Sequence, residues 1–162
     1  AMTFWEQSMA VRLALADSSG IYDLRINMAN GMVSMDELEQ GLRTFFEVLA
    51  WAERNGKREY QSPCISNIAM VYALQGKLED AARYYRRLLV DFKSEITPVD
   101  RSIALTNFGQ VQLDMGRPDT ARITFTELKE LAEAEGMITA LANAELGLGN
   151  VAQQAGDRVI AR

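Results

Sequence analysis

Asn27, Asn67 and Asn107 stand forty residues apart, and each carries an amide with two hydrogen-bond donors and an acceptor oxygen. Set along one surface, such amides could pair with successive peptide groups of an extended chain, largely independent of its sequence. An asparagine can equally bond a neighbouring turn or water. Other chemistry is poorly served. The 162-residue chain has no histidine, which removes Ser/His and Cys/His nucleophile pairs, histidine general bases and every His-containing metal site. The single cysteine, Cys64, lies beside Pro63 and reads as a small packing residue. Glu127, Glu130, Glu133 and Glu135, with Lys129 among them, read as an exposed helix face, and acids without a histidine or metal ligand give little support for hydrolysis. Gly147-Leu148-Gly149-Asn150-Val151-Ala152 has the G-x-G-x-x-A spacing of a dinucleotide loop, but that motif follows a strand. Here the preceding residues 140–146 are strong helix formers, and both glycines are expected to serve close helix packing. The chain is therefore read as non-catalytic, with no cofactor.

Composition narrows the partners. Seventeen basic side chains against 22 acidic ones leave a net charge of −5, the wrong sign for wrapping a phosphate backbone, so nucleic acid is not expected. No apolar run approaches the roughly 18 residues that span a bilayer, and no secretory signal opens the chain. An unpaired thiol fits a reducing, cytoplasmic compartment.

The asparagines belong to a longer repeat. Asn67-Ile68-Ala69-Met70-Val71-Tyr72-Ala73-Leu74-Gln75-Gly76 returns forty residues later as Asn107-Phe108-Gly109 through Gly116, and again as Gly147-Leu148-Gly149-Asn150 through Gly156. A weaker copy begins at Asn27, with Asp36 in the glycine position. In the second half of the unit Ala81, Ala121 and Ala161 align with Gly41, Phe45, Tyr85 and Phe125 align with Trp5, and Val48, Leu88 and Leu128 form a third column. A small residue allows two helices to approach, and the ring one turn later fills the adjoining gap. This periodicity predicts helices over 2–16, 20–33, 35–54, 58–75, 78–94, 98–115, 118–135 and 137–155, with the last residues opening another and no strand. Ser34 with Glu37 has capping-box spacing, Ser62-Pro63 and Thr97-Pro98 offer N-caps before a first-turn proline, and Pro118 follows Gly116-Arg117. Gly76, Gly116 and Gly156 are the expected turn residues. The helix drawn from residue 58 either begins at Pro63 or kinks there.

The run Asn67-Ile68-Ala69, Tyr72, Gly76, Ala81, Tyr85, Leu88 resembles the tetratricopeptide repeat (TPR), as do Asn107-Phe108-Gly109, Gly116, Ala121, Phe125, Leu128 and, up to the chain end, Leu148-Gly149, Ala152, Gly156, Ala161. Gln112 departs where a large apolar residue is usual. The forty-residue period is similar to the longer variety in MalT-type bacterial regulators, kinesin light chains and LGN-type adaptors. The resemblance implies an all-α, right-handed α-solenoid of antiparallel helix pairs, about eight helices and a truncated last one, whose first helices line a concave groove. Residues 1–162 would form one repeat domain: 1–17 the second helix of a partial repeat, 20–56, 57–95 and 96–136 full repeats, 137–162 another partial one. It also implies a protein–protein interaction module that holds an extended peptide. The alternative is a sensor or oligomerisation segment of a larger bacterial regulator.

Projection of the first helices gives the groove columns: Asp23, Asn27, Asn30, Ser34; Pro63, Asn67, Met70, Leu74; Ile103, Asn107, Gln110, Asp114; and Asn143, Gly147, Asn150, Gln154. They contain no lysine or arginine, so a clamp for a terminal carboxylate is not expected. A neutral or mildly basic segment with apolar anchors suits them. Arg83, Arg86 and Arg87 flank Tyr84 and the core-column Tyr85 and are expected on the solvated outer face. Trp5, Phe46 and Trp51 are expected in packing. Ala1 shares the phase of Ala81, so both chain ends would present uncapped faces, through which a homodimer could form.

Overall fold

The computed structural model describes residues 18–160 together with Gln7. Every element among the described residues is an α-helix: α1 (Ser18–Ser34), α2 (Leu38–Arg54), α3 (Arg58–Leu74), α4 (Leu78–Asp91), α5 (Pro98–Asp114), α6 (Pro118–Glu135) and α7 (Ile138–Ile160). They follow the expected order. The helix expected over 2–16, Trp5 and Ala161 lie outside the described residues. The chain divides into two compact units, residues 1–71 and 72–162.

One turn recurs at the forty-residue interval. Asp36, Gly76 and Gly116 adopt φ of 65°, 70° and 68°, and the next amide bonds a carbonyl five residues back: Glu37 to Met32 at 2.9 Å, Lys77 to Tyr72 at 2.9 Å, and Arg117 to Gln112 at 2.8 Å. This is the Schellman closure of a helix C-terminus, which places one residue in the left-handed region. Asp36 therefore makes the glycine turn without being glycine. An L-residue in that region costs roughly 1–2 kcal/mol, less for Asp than for most. Asp36→Gly is expected to raise stability by up to about 1 kcal/mol, read as a higher urea midpoint with an unchanged slope.

Three local expectations are corrected. Ser34 does not cap α2: it ends α1, with its hydroxyl on the Asn30 carbonyl at 3.0 Å, and Glu37 occupies the cap position without a side-chain bond. The Schellman turn consumes the residues a capping box would need. Ser62 is not a cap either, because α3 starts at Arg58 and carries Pro63 within it; first-turn N–H groups have no acceptor in the helix, so a proline lacking that donor loses nothing there, but Pro63 lies beyond the first turn. Gly156 is not a turn, since α7 continues to Ile160. A helix-interior glycine costs only about 1 kcal/mol, which α7 absorbs. Thr97 behaves as expected: its hydroxyl accepts from the Asp100 amide at 3.1 Å, with Pro98 opening α5.

In the first unit Gly41 lets α2 close on α1, where an added Cβ would stand 2.7 Å from Val33 Cγ2 and 3.1 Å from the Ala29 carbonyl. Phe45, Val48, Ile65 and Ile68 fill the core. Trp51 stacks on Tyr22 at 3.5 Å between ring centroids and meets Tyr60 edge-on at 5.5 Å, so it packs between helices. Cys64 is fully buried, and burial pushes its thiol up to about 12, which leaves negligible nucleophilic thiolate.

The second unit is organised around Phe125. Its ring, 2% exposed, lies between Gly109 of α5 and Gly147 of α7, where an added Cβ would meet ring carbons at 2.6 Å and 2.4 Å respectively. Leu105, Leu113, Ala121, Leu128, Ala144 and Val151 complete this core. Gly147, which also falls on a projected groove column, is buried and makes room for the ring, the close packing expected of it.

Candidate functional site: a cleft between the first helices of adjacent repeats

The Thr97 cap fixes where α5 begins, and Gly136, at φ 66°, fixes where α7 begins. Between the N-terminal halves of these two helices opens a cleft of about 580 Å³. Val99, Ile103, Thr106 and Asn107 line one wall, and Ile138, Thr139 and Asn143 the other. No charged side chain lines it. Val99, Ile103 and Ile138 are 58%, 52% and 84% exposed, an apolar surface held open to water and rimmed by two side-chain amides. Such a surface gains by covering an apolar group, at roughly 25 cal/mol per Å².

Of the groove residues expected from sequence, Ile103, Asn107 and Asn143 come together here. Asn107 is also committed inward, to a hydrogen bond with the Tyr85 hydroxyl. Tyr85 is buried; burial pushes its hydroxyl up to about 12, partly opposed by the Asn107 bond. Further along α5, Gln110 donates to Asp114 at 2.7 Å. Gln154 donates to the Leu113 carbonyl at 3.4 Å, and Asn150 is half-buried beside it on α7. Leu74, in the same unit, is exposed.

In the first unit Asp23, Ile26 and Asn27 of α1 face Glu59, Tyr60 and Pro63 of α3 across a cleft of about 390 Å³. These six positions, advanced by eighty residues, become Ile103, Thr106, Asn107, Thr139, Ala140 and Asn143, all of which line the cleft of the second unit. The same place in the repeat is thus a cleft in both units. Its chemistry differs: Asp23 and Glu59 make the first acidic, with Lys57 3.8 Å from Glu59, and the second is neutral. Asn67 does not line the first cleft; it donates to Asn30 at 3.0 Å, and Met70 is half-buried on the same helix.

The structure is similar to two crystal structures of a kinesin light chain-like protein of Podosopora anserina with nearly identical TPR-like repeats. A single-substitution form of that protein matches at TM-score 0.76 with 13% identity, over 97% of this chain and 78% of that one. The other form matches at TM-score 0.75 with 11% identity, over the same shares. The fold is that of TPR-like repeats. No protein-family model matches the sequence, and no curated protein matches it. The helical repeat accounts for the glycine decoy, since the whole segment 147–152 lies inside α7 with no strand before it. Gly147 packs as expected, but Gly149 has nothing within 4 Å of a built Cβ, so close packing does not explain it.

Val99, Thr106, Ile138 and Thr139 lie outside the projected columns. Those columns follow one stripe of the first helix, whereas Val99, Ile138 and Thr139 lie about one turn earlier, at the helix starts, and Thr106 lies beside the stripe. Thr106 stands at the repeat position of Ile26, and Thr139 at that of Glu59. Among the remaining charged groups, Arg83 is exposed and paired with Asp80 at 2.7 Å. Lys129 binds Glu145 at 2.6 Å, a contact that holds its ammonium above the usual lysine range. No helix among the described residues is long and apolar enough to cross a membrane.

Proposed function

We propose that this chain is a non-catalytic protein–protein interaction module, and that the cleft between α5 and α7 holds an extended segment of another protein. An apolar side chain of the segment lodges against Val99, Ile103 and Ile138, and Asn143 bonds the flanking peptide groups, with Asn107 contributing whatever its Tyr85 bond leaves open. One observation carries this reading: exposed branched aliphatic side chains converge with amides on an uncharged cleft, at a repeat position that is a cleft in both units. The uncharged walls of the α5–α7 cleft suit a neutral segment, and the acids Asp23 and Glu59 suit a mildly basic one in the first unit's own cleft. The work of the module is to position its partner, and no proton or group transfer is asked of it.

Peptide selection by phage display on the purified chain tests this. One selected class is expected to carry a branched or aromatic apolar residue with uncharged or basic flanks, and to lose at least tenfold in affinity, about 1.4 kcal/mol, to Ile103→Asp. Ile103 is half exposed, so that charge is tolerated by the fold. If no selected class depends on Ile103, the proposal fails. Asn107→Ala is a poor probe, because it strands the buried Tyr85 hydroxyl at about 1–3 kcal/mol of stability.

A further inference from the structure

A second cleft in the same unit, of about 410 Å³, is bounded by α4, α5 and α6 and is lined by charged side chains where the first is neutral. Asn107 and Phe108 are consecutive on α5, yet Asn107 lines the first cleft and Phe108 this one, because successive helical residues point about 100° apart. The floor is apolar, with Leu89, Val90, Leu105 and Phe108, and Val90 is 67% exposed.

Arg86, Lys93 and Arg101 stand around that floor with a single acid, Glu127. Glu127 is neutralised by an ion pair with Arg101. The nearby Asp91 faces Arg87 at 4.0 Å. Arg86 and Lys93 are exposed and have no ion-pair partner among the described residues. Arg101 Nε is buried with no acceptor among the described residues, so the Arg101–Glu127 pair is incompletely satisfied. A chain of net charge −5 thus gathers two uncompensated cations and an under-satisfied guanidinium over one patch of apolar surface.

We infer that this cleft binds an acidic peptide segment, with an apolar side chain against the exposed Val90 and half-buried Leu89 and carboxylates on Arg86 and Lys93. Planar guanidinium and carboxylate match in geometry. The apolar floor favours an aliphatic or aromatic side chain over the sugar and phosphate of a nucleic acid. This site is independent of the α5–α7 cleft, whose walls carry no charge.

The test uses a fluorescein-labelled ten-residue peptide of alternating Asp and Leu, its Lys-for-Asp counterpart, and labelled oligouridine, followed by fluorescence anisotropy at low and moderate salt. The acidic peptide is expected to bind best, more weakly as salt rises, and to lose tenfold or more with Arg86→Glu/Lys93→Glu. Two controls are expected to leave its affinity unchanged: Ile103→Asp, in the other cleft, and Arg122→Glu, which reverses a charge on the exposed face of α6. An equal loss with Arg122→Glu would reduce the effect to net charge and overturn the inference. So would tighter binding of oligouridine or the basic peptide, or indifference to the Arg86/Lys93 reversal.

Discussion

Phe125→Ala is expected to remove about 3–5 kcal/mol from the unfolding free energy, the range for deleting a buried ring that cannot be replaced by collapse. The ring fills a slot whose two sides are helix backbone, Gly109 on α5 and Gly147 on α7. Neither wall has a side chain that could swing into the space, and closing it would require whole helices to move toward each other. The loss would be a large share of a domain stability of about 5–15 kcal/mol. Urea denaturation of the wild type and variant measures it, with equal slopes showing that both unfold the same structure. A loss below about 1 kcal/mol would mean that the slot collapses easily, contrary to the packing of the ring between two glycines.

The two glycines of the decoy motif should respond to alanine in opposite directions. Both lie inside α7, where alanine is favoured over glycine by about 1 kcal/mol. At Gly149 nothing stands within 4 Å of the new methyl, so Gly149→Ala is expected to stabilise by about that amount. At Gly147 the methyl would stand 2.4 Å from Phe125 ring carbons. The ring has little room to retreat, because its Cζ end is already closed in by Gly109, where an added Cβ would stand 2.6 Å away. Overpacking of about 1–3 kcal/mol therefore outweighs the propensity gain, and Gly147→Ala should destabilise by up to about 2 kcal/mol net. Thermal melts of both single variants give the two signs directly. Equal shifts at both positions would show that helix propensity alone governs these sites.

These glycines also show where sequence reading reaches and where it stops. The forty-residue period, the small and aromatic columns and the Thr97-Pro98 cap are local or strictly periodic signals, and they place α1 to α7 in order. Gly147 and Gly149 look alike in a periodic reading because period reports which helix face a residue occupies, not what faces it. The face of Gly147 meets a ring from α6, and that of Gly149 meets nothing. Asn107 is legible as a groove residue, but its bond to Tyr85 is not, since a hydroxyl partner on another helix leaves no trace in spacing. Asp36 reads in sequence as a departure from the glycine turn. The structure makes the same turn with it, because the closing hydrogen bonds and helix packing outweigh the strain at one residue. The cleft itself is half visible in sequence: Ile103, Asn107 and Asn143 lie on the projected stripe, whereas Val99 and Ile138 belong to the helix starts, whose exposure depends on where the capped turns place the helix ends.

Site-specific photocrosslinking tests the central claim, recognition of an extended segment in the α5–α7 cleft, most directly. The photoreactive p-benzoylphenylalanine is placed at position 103 in one chain and at position 123, an exposed apolar position on α6, in another; each is irradiated in a lysate of the source cells and its adducts are sequenced by mass spectrometry. The account predicts adducts at 103 that map to short, apolar-anchored segments lacking acidic flanks, absent at 123 and competed away by excess unlabelled wild-type chain. Adducts of the same identity and yield at both positions, or none at 103 while the chain remains folded, would contradict it.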